Sequence, residues 1–382
     1  MKALFLESLP FESAFHVGSH HYARCFLDDG WEILWISHPL SPLHFLMRDK
    51  KDFDVRLTAW LRGPQRYGNL TYVSPFTLLP SGNVPLLRSR PVVRNTLKVT
   101  VPVVRGLVRR LGFEEPDLAW LTNPIFYPLL DRVKPKRVAM RIADDTSAFK
   151  NVPPAIRELE EMAMERADAL FVVSRNLYEE LSRRFPKAVF LPNGVDYELF
   201  STPAPEPEDM AALPHPRVIY VGATEYWFDA ELVASCARTL PEASFVIVGP
   251  VTRVIEPLSA LDNVFLLGPR PYREIPAYLQ HADVGIIPFR RDRMVDSIHP
   301  IKLYEYLAAG LPVVATRWRE IEAMQAPVAL AEREEFCEAL STSLQKLRAL
   351  EAERDARMAF ARGNSWRMRY EALKPGLFID AS

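Results

Sequence analysis

Ten short apolar runs set the limits on what this chain can fold into. They lie at 2–6, 32–37, 118–121, 137–142 and 169–173, then at 218–221, 244–248, 264–267, 284–287 and 313–316. Short, nearly continuous apolar runs are expected where a strand is buried on both faces, as in a parallel sheet covered by helices. Between the two series lies 201–216, which is rich in proline, free of glycine and without periodicity, and reads as a linker. The expectation is an α/β chain with two parallel-sheet domains facing across a cleft: 1–200, then 217–364 after the linker. Ligand then belongs at the carboxyl ends of the strands. Ser365 is placed to cap a last helix, 365–382, that crosses back to the first domain.

At 382 residues the chain is too long for one ordinary core, which agrees with two domains. With 48% hydrophobic and 25% charged residues it is globular rather than disordered. No apolar run approaches the roughly 20 residues that cross a bilayer. The first ten residues, acidic at Glu7, read as a buried strand and not as a secretory signal. Cys25, Cys236 and Cys337 are scattered and odd in number, which suits a reducing compartment and argues against a disulfide or a zinc site. A net charge of −1 offers no general field for nucleic acid, and none is expected as a partner.

The richest stretch is 299–316, His-Pro-Ile-Lys-Leu-Tyr-Glu-Tyr-Leu-Ala-Ala-Gly-Leu-Pro-Val-Val-Ala-Thr. Lys302 and Glu305, three apart, share one face of a helix near its start. A helix start presents free N–H groups and a positive dipole end, which suit a phosphate. Lys302 adds a point charge, and Glu305 one turn on adds an acceptor for paired hydroxyls. The helix is expected to stop at Gly310, before Pro312. Cation, acceptor and helix start together describe a site for a nucleoside diphosphate, and with that charge supplied by the chain no metal or other cofactor is expected.

Other positions follow from the strand ends. Gly222 and Thr224 come after the first strand of the second domain, where a tight turn passes near the diphosphate. Arg290, with Arg291 and Arg293, precedes the Lys302 helix and suits a phosphate or an acidic sugar. In the first domain, Gly18 and Ser19 lie in what reads as a loop after the first strand, with His16, His20 and His21 as sugar contacts or a base. Asp144 and Asp145 follow the 137–142 strand, where a carboxylate serves either as a helix cap or as a base beside an acceptor hydroxyl.

The segment 84–113 carries Arg88, Arg90, Arg94, Lys98, Arg105, Arg109 and Arg110 and no acidic residue. Pro91 and Pro102 divide it into two short helices. Interleaved with Val and Leu, these charges suit an anionic lipid surface or a lipid-pyrophosphate acceptor. The expected location is cytoplasmic, at the inner face of the cell membrane.

The 299–316 stretch resembles the donor-binding helix of GT-B glycosyltransferases. The likeness extends through 191–196, 222–229 (Gly-Ala-Thr-Glu-Tyr-Trp-Phe-Asp), 263–272 (Asn-Val-Phe-Leu-Leu-Gly-Pro-Arg-Pro-Tyr), 282–290 and 364–366. It is dense from about Arg137 to Trp366 and thin before that. The chain is similar to the branch that includes teichuronic-acid transferases and the xanthan glucuronosyltransferase. The resemblance implies two Rossmann-like domains in the GT-B plan, a UDP-linked sugar donor, and a glycan or lipid-linked acceptor. It implies that Lys302 holds the pyrophosphate and Glu305 the ribose, with Ser297, Leu303, Gly249 and Tyr272 completing the donor site. It also implies that an Asp in the 144–145 region is the base. Retaining members carry a glutamate eight positions before Glu305; here Ser297 stands there, beside Asp296, which favours an inverting reaction. The rivals are a retaining transferase of the same fold, a non-hydrolysing nucleotide-sugar epimerase, and a nucleotide-sugar-binding protein without catalysis.

Overall fold

The computed structural model describes residues 1–13, 16–46, 52–80, 87–143 and 152–378. The chain divides into two compact units: Met1–Leu191 with Tyr370–Ser382, and Pro192–Arg369.

The first unit is built on strands β1 (Lys2–Glu7), β2 (Glu32–Ser37), β3 (Gln65–Tyr67), β4 (Leu70–Val73), β5 (Phe76–Thr77), β6 (Thr100–Val101), β7 (Leu118–Leu121), β8 (Arg137–Ile142), β9 (Ala169–Val172) and β10 (Ala188–Phe190). Eight of them form one sheet in the order β10-β9-β8-β7-β1-β2-β4-β3. Every pairing in it is parallel except β3 with β4. Leu4, Leu6, Leu34, Ile36, Leu121 and Leu170 fill one face. The other carries a row of rings in which Phe5 stacks on Trp35 at 5.6 Å and on Trp120 at 5.7 Å. Because alternate residues of one strand bury into opposite layers, these strands read as unbroken apolar runs. The remaining strands, β5 and β6, form a small antiparallel ribbon.

The second unit holds β11 (Arg217–Val221), β12 (Ser244–Val248), β13 (Val264–Gly268), β14 (Val284–Ile287), β15 (Val313–Thr316) and β16 (Ala329–Ala331), in the order β13-β12-β11-β14-β15-β16 and parallel throughout. Chain direction across the sheet reverses between β11 and β14, which opens a crevice at their carboxyl ends.

Three expectations need correction. The domain division falls at Leu191/Pro192, not near 200. The 201–216 segment packs on the second unit instead of acting as a free linker: Met210 is fully buried, and the Ala204 N–H donates to Gln280 Oε1 at 2.9 Å. Cys236 and Cys337 form a disulfide across a sequence separation of 101, with only Cys25 free. Their helices, Ala230–Thr239 and Phe336–Gln345, pack together, and nothing in local spacing announces that meeting. The last helix runs Trp366–Phe378, and Ser365 Oγ accepts from the Met368 N–H at 3.4 Å.

Candidate functional site

At the β11/β14 crevice of the second unit stands the helix Ile301–Ala308, and Gly310 past its end takes φ 80°. Lys302 projects from its first turn. The ammonium lies 4.8 Å from the Tyr220 ring centroid and 4.7 Å from that of Phe289, and donates to Tyr220 Oη at 3.3 Å. Among the described residues no carboxylate comes within ion-pair distance of it. Loss of water around it pulls its pKa down to about 8. Glu305, one turn on, is 9% exposed, and burial pushes its carboxyl up to about 7 against the lowering effects of the Tyr272 hydroxyl and Lys302. A cation with hydrogens to spare and an acceptor one turn away can receive an anion and a hydroxyl pair.

The loops beside Lys302 are fixed by two glycines with φ near 144°. A Cβ on Gly249 would sit 2.2 Å from the Gly222 carbonyl oxygen, and one on Gly222 would sit 3.0 Å from Lys302 Nζ. The ends of β11 and β12 therefore approach more closely than any side chain allows, which leaves open backbone beside the ammonium. A feature that sequence reading missed holds the helix start in place. His299, 6% exposed, bonds Glu320 through Nδ1 at 2.7 Å and the Tyr304 hydroxyl through Nε2 at 2.9 Å, while Asn193 donates to its carbonyl at 2.8 Å. The only signal was the His-Pro pair before the helix.

Several donor-side expectations change. Thr224 is fully buried and ties two loops together: its N–H donates to the Pro250 carbonyl, and its hydroxyl accepts from the Thr252 N–H at 3.0 Å. Leu303 is a core residue at 0% exposure whose N–H is spent on the Pro300 carbonyl, because its place on the helix faces the sheet. Tyr272 is turned to Glu305. Ser297 ends a short turn, Val295–Ser297, with its N–H bonded to the Met294 carbonyl. Arg290 is exposed, 3.9 Å from Asp229, in a cleft that shares Phe289 with the Lys302 site and in which Arg291, Arg317 and Arg333 are matched by Asp229, Glu231, Glu332 and Glu334.

In the first unit the sheet reverses direction between β1 and β7. Glu7 closes β1 there at 2% exposure; Thr122 donates to its Oε2 at 2.6 Å and Ser19 hydrogen-bonds it. Burial pushes this carboxyl up to about 7. Sequence reading took Glu7 only as a mark against a signal peptide. Asp144 and Asp145 lie outside the described residues. Gly18, Ser19, His20 and His21 are not loop residues, since they form the first turn of the helix Gly18–Asp28. Gly18 is required by packing: a Cβ there would meet the Arg141 guanidinium at 2.6 Å. His20, 1% exposed, accepts from the Val17 N–H and donates to the Pro10 carbonyl, and burial lowers its pKa to about 4, so it is a neutral core residue. His16 is partly exposed, stacked on His20 at 5.2 Å with Arg24 beside it.

The basic segment forms the two short helices expected, Arg90–Asn95 and Val104–Arg110. Arg90 pairs with Glu158, Arg109 stands 3.6 Å from Glu114, and Arg94 reaches the Met162 sulfur at 3.5 Å. Arg88, Lys98 and Arg105 are exposed.

Residues 215–347 match the family described as glycosyl transferases group 1. That match lies within the second unit, and the chain has the GT-B fold. Over 182 residues it is 30% identical to TuaH of Bacillus subtilis (strain 168), assigned as a teichuronic acid biosynthesis glycosyltransferase. That match covers 45% of this chain and 46% of the relative, so it spans about half the length of each. The fold matches Anabaena HepE in complex with UDP at TM-score 0.66 and 15% identity, with 99% of both chains covered. It also matches the E. coli trehalose-6-phosphate structure bound with UDP-2-fluoro glucose at TM-score 0.68 and 13% identity, again over 99% of both chains. Sucrose-phosphate synthase from Thermosynechococcus elongatus matches at TM-score 0.62 and 16% identity, over 98% of this chain and 95% of that one.

Proposed function

We propose that this protein is a glycosyltransferase that moves a sugar from a nucleoside diphosphate, UDP, to a hydroxyl of a glycan or lipid-linked acceptor. The observation that carries this is the Lys302 ammonium, held at the crevice of a parallel sheet against Gly222 with no carboxylate at ion-pair distance among the described residues, and Glu305 one turn on. Lys302 takes the diphosphate and stabilises it as a leaving group; Glu305 takes the ribose hydroxyls. UDP is the nucleotide in the complexes of HepE and the E. coli structure, which supports it here. Arg290 suits a uronic acid donor, its neighbours Arg291, Arg317 and Arg333 being paired with Glu332 and Asp229, and the likeness to TuaH supports a place in making cell-envelope polysaccharide. The reaction inverts the anomeric centre, with Asp144 or Asp145 as base, and Ser297 where retaining enzymes carry glutamate supports that reading.

The test is incubation with a panel of UDP-sugars and polyprenyl-linked or free glycan acceptors, with the product read by NMR. A new glycoside of inverted configuration is expected, formed at least about a hundredfold more slowly by Asp144→Asn or Asp145→Asn. An altered nucleotide sugar released without acceptor would establish the epimerase instead. Retention would overturn the inverting mechanism.

A further inference from the structure

The sequence from Val55 to Phe113 contains ten Arg or Lys and none of the 48 acidic residues of the chain. Within it, 99–104 reads Val-Thr-Val-Pro-Val-Val, and the fold turns this alternation inside out. Val99, Val101 and Val103 are 38%, 49% and 50% exposed, while Thr100 is buried. A strand on a soluble protein normally buries its valines and shows its threonine. The inverted register is locked, because the Thr100 hydroxyl donates to the Leu97 carbonyl and accepts from the Val104 N–H, both at 3.0 Å.

The neighbours extend the apolar surface. β5 pairs Phe76 with Val101, and Leu78, 66% exposed, follows with its N–H on the Val99 carbonyl. Trp60 packs at a tilt on Phe76 at 4.9 Å and donates its indole N–H to the Val101 carbonyl at 2.7 Å, and Leu61, the next residue on that helix, is 70% exposed. Exposed apolar side chains gathered in this way mark a contact surface. Arg62, Lys98 and Arg105 stand exposed around them, and no ion pair engages them among the described residues. No helix among those residues is long and apolar enough to cross a membrane.

We propose that the β5–β6 ribbon with the end of the helix Phe53–Arg62 is a docking surface for an anionic lipid bilayer. The valines, Leu61 and Leu78 enter the headgroup layer, and Arg62, Lys98 and Arg105 meet lipid phosphates. Positive charge alone would equally suit nucleic acid; the row of outward valines favours a bilayer, whose interface rewards apolar burial and cations together. Arg90 and Arg109, spent on Glu158 and Glu114, have no part in it. The inference stands on this surface and not on the transfer reaction.

The experiment is flotation of the full chain with phosphatidylcholine vesicles, with and without phosphatidylglycerol. Two variants accompany it: Val99→Ser/Val101→Ser/Val103→Ser, and Arg62→Gln/Lys98→Gln/Arg105→Gln. Partition onto anionic vesicles is expected, weaker by at least about tenfold in each variant and weakened by salt as the Debye length shortens. Melting temperatures equal to wild type show that the variants fold. No partition by wild type, equal partition onto neutral vesicles, or wild-type partition by folded variants would overturn the proposal. Binding to nucleic acid in place of vesicles would also overturn it.

Discussion

Burial draws the titrations of Lys302 and Glu305 toward neutrality from opposite sides. One ammonium is drawn down to about 8 and one carboxyl raised to about 7, both mainly by loss of solvent. A diphosphate nucleotide needs the lysine charged and the glutamate ionised. UDP affinity should therefore fall as pH drops through about 7, where Glu305 gains a proton, and fall again above about 8, where Lys302 loses one. Calorimetric titration from pH 6 to 9.5 reads both limbs. Lys302→Ala should weaken binding by about 1.5–3 kcal/mol near neutrality and abolish the alkaline limb. A flat profile, or unchanged affinity in the variant, would remove Lys302 from the phosphate. The spacing of these two residues was legible because three positions on a helix determine a shared face. Their burial was not, since it depends on Tyr220, Phe289 and Tyr272 arriving from a strand and two loops distant in sequence.

At the scale of elements, the sheets were the most readable part. Glu32–Ser37, Leu118–Leu121, Ser244–Val248 and Val313–Thr316 fall where the apolar runs lie, because central strands of a parallel sheet have no polar face to blur the pattern. The edge strands, such as Gln65–Tyr67, went unread: a strand with water on one side and only three residues has no pattern to show. The histidines of the first helix misled for a related reason. Their clustering is visible in the sequence, but that His20 turns inward to the Pro10 carbonyl is decided by the fold. The meeting of β11 and β12 makes a sharp prediction. Gly249→Ala forces a methyl against the Gly222 carbonyl and should cost about 1–3 kcal/mol of stability, with loss of UDP affinity as the Gly222 turn moves away from Lys302. Denaturant unfolding and titration measure the two effects; a variant as stable as wild type would show that these loops yield easily.

At the scale of the molecule, the Cys236–Cys337 bond lies wholly within the second unit and closes a loop of about a hundred residues. By loop entropy such a link contributes about 2–5 kcal/mol. Reductant should lower the melting temperature of the second unit and leave the first unchanged in differential scanning calorimetry. Three titratable thiols in unfolded, unreduced protein would overturn the pairing. The return of the chain to the first unit at Tyr370 has another consequence. Tyr370 and Leu373 are fully buried there, Tyr370 packs against Phe26 at 4.9 Å and donates to Asp29, and Lys374 pairs with the same carboxylate at 2.7 Å. A ribosome releases residues 1–191 early, yet the layer they need for Phe26 and Trp31 emerges only with residues 370–378. Synthesis runs in one direction and domains generally mature as they emerge, so here the unit begun first is the one completed last.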